Sequence, residues 1–114
     1  MEEDLTRSIL DCAYRVHTAL GPGLLESSYL ECLYFELIQK GLQVEKQKPR
    51  PLIYNDVKLE VGYRIDLLVG GRIIVEIKSV DKLSDVHLAQ ILTYLRLNSN
   101  RFGLLINFNV ARLK

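Results

Sequence analysis

The segment "RIIVEIKSV", from Arg72 to Val80, decides the fold that we predict for this chain of 114 residues. Five of its nine residues are Ile or Val, which is typical of a strand buried on both faces. Glu76 and Lys78 interrupt the apolar run two positions apart, so their side chains point to the same face. A buried carboxylate without a partner would rather take up a proton. Glu76 therefore needs either an ion pair with Lys78 or a divalent cation held by its oxygens.

The patterns on both sides of this strand predict three helices and three further strands. The apolar residues recur at helical spacing in Asp4–Leu20, Leu25–Lys40 and Asp85–Leu97. The other predicted strands are Leu42–Tyr54, Val57–Val69 and Phe102–Val110. The order α-α-β-β-β-α-β contains a crossover long enough for two parallel strands. The sequence therefore predicts an α/β fold, with a mixed four-stranded sheet flanked by helices.

The composition is that of an ordinary globular protein, with 48% hydrophobic and 25% charged residues. The length fits one domain over residues 1–114. A net charge of +1 gives no general attraction to nucleic acid or membranes, so polyanion binding would need a local patch. Cys12 and Cys32 lack the spacing of a zinc site and suit a reducing compartment. The N-terminal "MEEDLTRS" is not a signal peptide, and no apolar run could cross a bilayer. We therefore expect a cytoplasmic protein with no membrane partner.

A second acid, Asp66, opens the most apolar part of the strand that precedes "RIIVEIKSV". The Gly70-Gly71 pair predicts a two-residue hairpin turn that pairs Val69 with Arg72. Asp66 then lies next to Glu76 in register. Two carboxylates at this distance repel each other unless a cation or a proton lies between them. The alternative is that Asp66 forms an ion pair with Arg64 or Lys78.

Further polar residues lie where these helices and strands could meet the two acids. Glu26 is on the apolar stripe of the second helix, although the macrodipole alone favours an acid in a first turn. The third helix carries Gln90 and Tyr94 one turn apart, either as plain surface or as a cover over the acids. Its predicted core stripe consists of Leu88, Ile91, Leu92 and Leu95. Three cations alternate along the first strand and should share one face, either solvated or in contact with phosphate: Lys46, Lys48 and Arg50.

This combination resembles the active site of the PD-(D/E)xK nuclease superfamily, in which an acid precedes an acid-x-lysine element on the next strand. The segment "GLLESSY", from Gly23 to Tyr29, resembles the signature of the GxxExxY protein family, a small branch of that superfamily. The segments "YRIDLLV", "IIVEIKSV", "AQILTYL" and "GLLINFN" resemble other characteristic segments of that family, in the same order. The resemblance covers about Ile9 to Leu113. Family members usually run somewhat further, so we expect this chain to be short at its C-terminus.

The resemblance implies a restriction-endonuclease-like core and a role for each candidate residue. Asp66 and Glu76 would hold Mg²⁺ or Mn²⁺ together with the backbone carbonyl of Ile77. Lys78 would position or activate the attacking water and stabilise charge on the phosphate. The remaining candidates would be a further acid and two residues that support the site or contact substrate, namely Glu26, Gln90 and Tyr94.

The function implied is a metal-dependent nuclease that hydrolyses phosphodiester bonds, with DNA as its partner. A homodimer is expected as well, because small single domains that cut duplexes often work in pairs. The alternative is a catalytically weak or inactive nuclease-fold module that binds nucleic acid or regulates another protein. The near-zero net charge favours this alternative, because a free nuclease usually presents a more basic surface.

Overall fold

The computed structural model describes residues 2–113, apart from the side chain of Val61. It contains three helices and four strands in the predicted order. They are α1 (Glu2–Leu20), α2 (Glu26–Gln39), β1 (Val44–Tyr54), β2 (Val57–Val69), β3 (Ile73–Lys78), α3 (Asp85–Leu97) and β4 (Phe102–Asn107). β3 and β4 are shorter than predicted, because the apolar pattern continues past the residues that pair. None of the helices in residues 2–113 has the length and apolar character needed to cross a membrane.

The four strands form one sheet in the order β1-β2-β3-β4. β1 pairs with β2 and β2 with β3 in antiparallel fashion, whereas β3 and β4 are parallel. α3 lies in the connection between the two parallel strands, as the length of the crossover predicts. The predicted mixed four-stranded sheet with flanking helices is therefore confirmed.

The sheet separates two apolar clusters. The larger one packs the helical pair α1 and α2 against one side and includes Leu67, Val75 and Ile77 from the strands. The smaller one contains Ile91 of α3 together with Ile65, Leu68 and Ile74, and Tyr63 and Tyr94 pack at its margin. We call these sides the α1/α2 face and the α3 face of the sheet. Because β3 alternates between them, its even-numbered side chains, including Glu76 and Lys78, belong to the α3 face.

The predicted core stripe of α3 is only partly correct. Ile91 is buried, but the side chains of Leu88 and Leu92 are 51% and 52% exposed. Leu95 packs against the α3-face cluster as predicted, and Tyr94, which was not in the predicted stripe, packs there as well. The helix is therefore rotated so that the ring of Tyr94 faces the sheet, which buries more surface than another leucine would.

The hairpin between β2 and β3 differs from the predicted turn by one residue. Val69 pairs with Ile73 rather than with Arg72. Arg72 belongs to the turn, and its backbone N–H donates to the carbonyl of Val69 at 3.0 Å. Pairing resumes only after this third turn residue, so every later position on β3 shifts by one. Asp66 consequently faces Glu76, not the neighbouring valine.

Candidate active site

Asp66 and Glu76 lie where the hydrogen-bonded ladder between β2 and β3 stops. The paired residues run from Val69 and Ile73 to Leu67 and Val75, and Asp66 and Glu76 come next in this register. Beyond this point, carboxylate oxygens of the side chains accept the hydrogen bonds that join the two strands. The backbone N–H of Asp66 donates to Glu76 Oε2 at 2.9 Å, and the N–H of Ile77 donates to Asp66 Oδ2 at 2.9 Å. Each carboxylate therefore holds the opposite strand, and the two acids are fixed side by side.

Burial makes this pair of carboxylates unfavourable without a cation. Glu76 is 3% exposed, and desolvation followed by the charge of Asp66 raises its pKa from 4.5 to about 7. Burial also raises the pKa of Asp66, although the hydrogen bond from Ile77 opposes the shift. The site thus contains two oxygen-donor side chains whose charged forms need a positive partner.

Lys78 does not supply that partner by an ion pair. Within residues 2–113, no ion pair joins Lys78 to Glu76 or to Asp66. Its charge nevertheless lowers the pKa of both carboxylates. Of the two alternatives that the sequence left open for Glu76, the ion pair with Lys78 is therefore not formed within the described residues. Lys78 is half-buried at the end of β3 on the α3 face, two residues from Glu76, and no ion pair of residues 2–113 includes it.

Glu26 lies at the rim of the site. It is the first residue of α2, and its Oε2 accepts a hydrogen bond from the backbone N–H of Ser79 at 3.3 Å. The hydroxyl of Ser79 donates to the carbonyl of Leu24 at 2.6 Å, which ties the end of β3 to the start of α2. The charge of Glu26 raises the pKa of Asp66 and of Glu76. No group of three His, Cys, Asp or Glu side chains within the described residues is arranged to hold a metal.

Gln90 and Tyr94, two polar residues of α3, lie on the same side of the sheet as Glu76. Gln90 Nε2 donates to the hydroxyl of Tyr94 at 3.3 Å, and the Tyr94 ring stacks on Tyr63 with centroids 4.9 Å apart. Burial and then the charge of Glu76 raise the pKa of Tyr94. Tyr63 was missed in the sequence, although its position two residues before Ile65 places it on the same face.

The three cations of β1 do not share a face, so that prediction is wrong. Lys46 Nζ lies 2.8 Å from Glu31 Oε1 and 4.6 Å from the Tyr34 ring centroid, so it contacts α2. Lys48 and Arg50 instead form ion pairs with Glu45, at 2.6 Å and 3.7 Å. Arg50 is also the cross-strand partner of Tyr63. It therefore lies on the α3 face, beside the two stacked rings.

The three cations lie on different faces because the alternation of side chains is interrupted on both β1 and β2. Gln47 has a φ of +50°, outside the range of extended backbone, and Lys46 and Lys48 flank it. Across the hairpin, Ile65 packs in the α3-face cluster, while Leu67 packs in the α1/α2-face cluster. On a regular strand both pairs would share a face. The residue between Ile65 and Leu67 is Asp66, so the break lies at the acidic site.

One comparison with known proteins identifies a family that this chain matches. The sequence model of the PD-(D/E)XK nuclease superfamily matches residues 3–114, which is nearly the whole chain. No curated protein and no solved structure matches it. The element order and the mixed sheet agree with the restriction-endonuclease-like fold expected for this match.

Proposed function

Because the chain belongs to the PD-(D/E)XK nuclease superfamily, we propose that it is a metal-dependent nuclease that hydrolyses phosphodiester bonds in DNA. One observation carries this proposal. The carboxylates of Asp66 on β2 and Glu76 on β3 lie side by side, and each accepts a hydrogen bond of 2.9 Å from the backbone of the other strand. A structural role alone would not need a buried Glu76 whose pKa is raised by the charge of a neighbouring acid, Asp66. The resemblance to the GxxExxY branch is part of the same proposal.

The residues present fit a hard divalent cation such as Mg²⁺ or Mn²⁺. Asp66 and Glu76 each use one oxygen for a backbone N–H, which leaves the second oxygen of each for another ligand. The backbone carbonyl of Ile77 would be the third donor, and all three are oxygen ligands of the kind these ions prefer. When bound, the cation would act as a Lewis acid and lower the pKa of a coordinated water.

The other residues of the site would act on the water and the phosphate. Lys78 lies on the same face as Glu76 and forms no ion pair in the part of the chain that the structure describes, so it can stabilise the charge that develops on the phosphate. Glu26, at the rim, would orient water or serve as a further acid. Gln90 and Tyr94 would contact the substrate on the α3 face. Lys48 and Arg50 would bind its backbone, whereas Lys46 is left out because it contacts α2.

A cleavage assay tests the nuclease proposal. Purified protein is incubated with supercoiled and branched DNA in Mg²⁺ or Mn²⁺, beside Asp66→Asn and Glu76→Gln variants. These amides keep an oxygen that can accept the backbone N–H bond, so the strands stay joined while the negative charge is lost. Cleavage by the parent protein alone would support the proposal. Equal cleavage by all three proteins would indicate a contaminating nuclease.

A second candidate is a nuclease-fold module that binds nucleic acid without cutting it. The observation in its favour is that no group of three acidic, histidine or cysteine side chains suited to a metal occurs in residues 2–113. This candidate predicts DNA binding that is unchanged in Asp66→Asn and no cleavage in any divalent metal.

The proposal also covers the oligomeric state of the protein and its compartment in the cell. We propose a homodimer, since a duplex has two strands to cut and this chain offers one pair of acids. We also propose a cytoplasmic location for this single nuclease-like domain, residues 1–114. It is supported by Cys12 and Cys32, which are both free thiols.

A further inference from the structure

Glu45, Lys48 and Arg50 form a small ionic cluster on the α3 face of β1. Glu45 Oε2 lies 2.6 Å from Lys48 Nζ and 3.7 Å from Arg50 Nη2, so one carboxylate oxygen bridges two cations. The Lys48 ammonium beside it holds the pKa of Glu45 below its ordinary value, which keeps it ionised. Residues three apart on a regular strand point to opposite faces, and only the break at Gln47 brings this cluster together.

Three polar atoms in and beside this cluster lack a hydrogen-bond partner within the described residues, and one of them is Glu45 Oε2 itself, which has its two cations near but not in hydrogen-bond geometry. Arg50 Nε and Gln90 Oε1 are buried side-chain atoms without a hydrogen-bond partner in the described residues. They lie at the two ends of one row, in which Arg50 pairs across the strands with Tyr63, Tyr63 stacks on Tyr94, and Tyr94 is bonded to Gln90. Buried polar atoms without partners are rare in native proteins and call for an explanation. A bound ligand would supply one if it placed an acceptor oxygen, such as that of a phosphate, at Arg50 Nε and a donor group, such as a base N–H, at Gln90 Oε1.

The chemistry of the row fits a nucleic-acid backbone. We propose that Lys48 and Arg50 form a subsite for a backbone phosphate next to the scissile one, and that the Glu45 carboxylate occupies the place of this phosphate in the free protein. A phosphate presents several acceptor oxygens and can therefore bind the Arg50 guanidinium in a fork, which a carboxylate oxygen at 3.7 Å does not. This inference rests on the proposed function, because it takes the substrate to be a nucleic acid.

A cleft borders Arg50, one of the two cations of this subsite. This cleft, of about 530 Å³, lies along the outer part of the β1–β2 hairpin and is lined by Arg50, Tyr63, Lys58 and Arg64. Three of these residues are cations, and Glu60 is the one acid of the lining. The lining therefore extends a positive path away from Asp66 and Glu76. Exchange of Glu45 for phosphate costs little, because partly exposed ion pairs contribute only weakly to stability.

The test measures binding without metal, so its outcome does not depend on catalysis. The anisotropy of labelled DNA, duplex and single-stranded, is recorded in EDTA over a series of salt concentrations. Lys48→Ala and Arg50→Ala should each weaken binding to any sequence and reduce the slope of log K against log salt by about one. Glu45→Gln should bind more tightly, by about twofold to fivefold, the equivalent of one exposed ion pair.

Lys46→Ala is the matched control. It removes the same side chain from the same strand, and Lys46 also forms an ion pair with a glutamate, but on the α1/α2 face. Its affinity and salt slope should equal those of the parent protein. Thermal unfolding checks that Arg50→Ala is folded, and Lys48 is exposed enough, at 51%, for its variant to fold regardless.

Three results would overturn the inference. They are no binding of DNA by the parent protein, an equal loss in Lys46→Ala and Lys48→Ala, or weaker binding by Glu45→Gln. Failure of the nuclease proposal is distinguishable, since it appears as absent cleavage in Mg²⁺ or Mn²⁺. A protein that binds with the predicted order of variants but does not cut would retain this subsite as a binding module.

Discussion

Asp66 and Glu76 each hold the strand of the other, through hydrogen bonds of 2.9 Å from the backbone N–H groups of Asp66 and Ile77. The two acids therefore join the sheet as well as forming the candidate metal site. Replacement by alanine would leave a backbone N–H without an acceptor, which is itself destabilising. Activity lost in an alanine variant could then reflect a separated pair of strands. Asparagine and glutamine are the informative substitutions, since they keep an acceptor oxygen and remove the charge.

The stability of the metal-free protein should fall as pH rises through 7. The pKa of Glu76 is raised from 4.5 to about 7, so the folded chain binds a proton that the unfolded chain has already released. This contribution is fully present below pH 4.5 and lost as pH passes the folded pKa, at most about 3 kcal/mol. Urea unfolding in EDTA at pH 5 and pH 8 measures it.

Glu76→Gln is the control for this pH dependence. Glutamine does not titrate, so the difference in unfolding free energy between the parent protein and the variant isolates the Glu76 carboxyl. The parent should lose stability relative to the variant between pH 5 and pH 8. A difference that stays constant with pH would contradict the raised pKa.

Mn²⁺ should stabilise the protein, and more strongly at pH 8 than at pH 6. Metal ligands must be deprotonated, and at the lower pH a proton on Glu76 competes for the site. With free Mn²⁺ at about 100 times its dissociation constant, the free energy of unfolding should rise by about 2–3 kcal/mol. Thermal unfolding with and without Mn²⁺ reads this out. Asp66→Asn should lose the gain, and Asp11→Asn, which removes an exposed acid of α1, should keep it. Equal stabilisation of all three proteins would place the metal elsewhere.

The sequence predicted the acids better than it predicted their geometry. The alternation of "RIIVEIKSV" placed Glu76 and Lys78 on one face, and the hairpin brought Asp66 beside them. The register was wrong by one, because two glycines do not reveal that Arg72 belongs to the turn. The prediction that Lys46 and Lys48 share a face was wrong, because a glutamine in the sequence does not indicate the positive φ that Gln47 adopts. Both errors concern backbone conformations that tertiary packing imposes.

Gly62→Ala, in the β1–β2 hairpin, should destabilise the protein more than Gly71→Ala, in the turn between β2 and β3. A side chain at Gly62 would collide with the backbone carbonyl of Arg50, where the pairing of β1 and β2 shifts register. The free energy of unfolding should fall by about 2 kcal/mol or more, since backbone must move. Gly71→Ala meets no atom within 4 Å and should cost about 1 kcal/mol, from its positive φ alone. Urea unfolding compares the two, and equal losses would argue against the collision.

The chain should self-associate at high concentration if the proposed homodimer forms. Light scattering coupled to gel filtration should then report two copies of the 13.1 kDa chain. The fraction of dimer should rise with protein concentration, as mass action requires. The mass of one chain at every concentration tested would count against the homodimer.

Lys78→Ala should slow DNA cleavage by about 100-fold or more while leaving DNA binding in EDTA within a few-fold of the parent. The reason is that an ammonium aimed at the reacting phosphate stabilises charge in the transition state, where loss of one such group costs about 100- to 1,000-fold. Its freedom from any ion pair in the described residues is what makes Lys78, rather than Lys46 or Lys48, the candidate. Single-turnover cleavage of supercoiled DNA in Mg²⁺ gives the rate, and anisotropy gives the affinity. Lys46→Ala removes a lysine that is committed to Glu31, so it should cut at the parental rate. A Lys78→Ala protein that cuts as fast as the parent, beside an inactive Asp66→Asn, would leave the metal site in place and remove Lys78 from the mechanism.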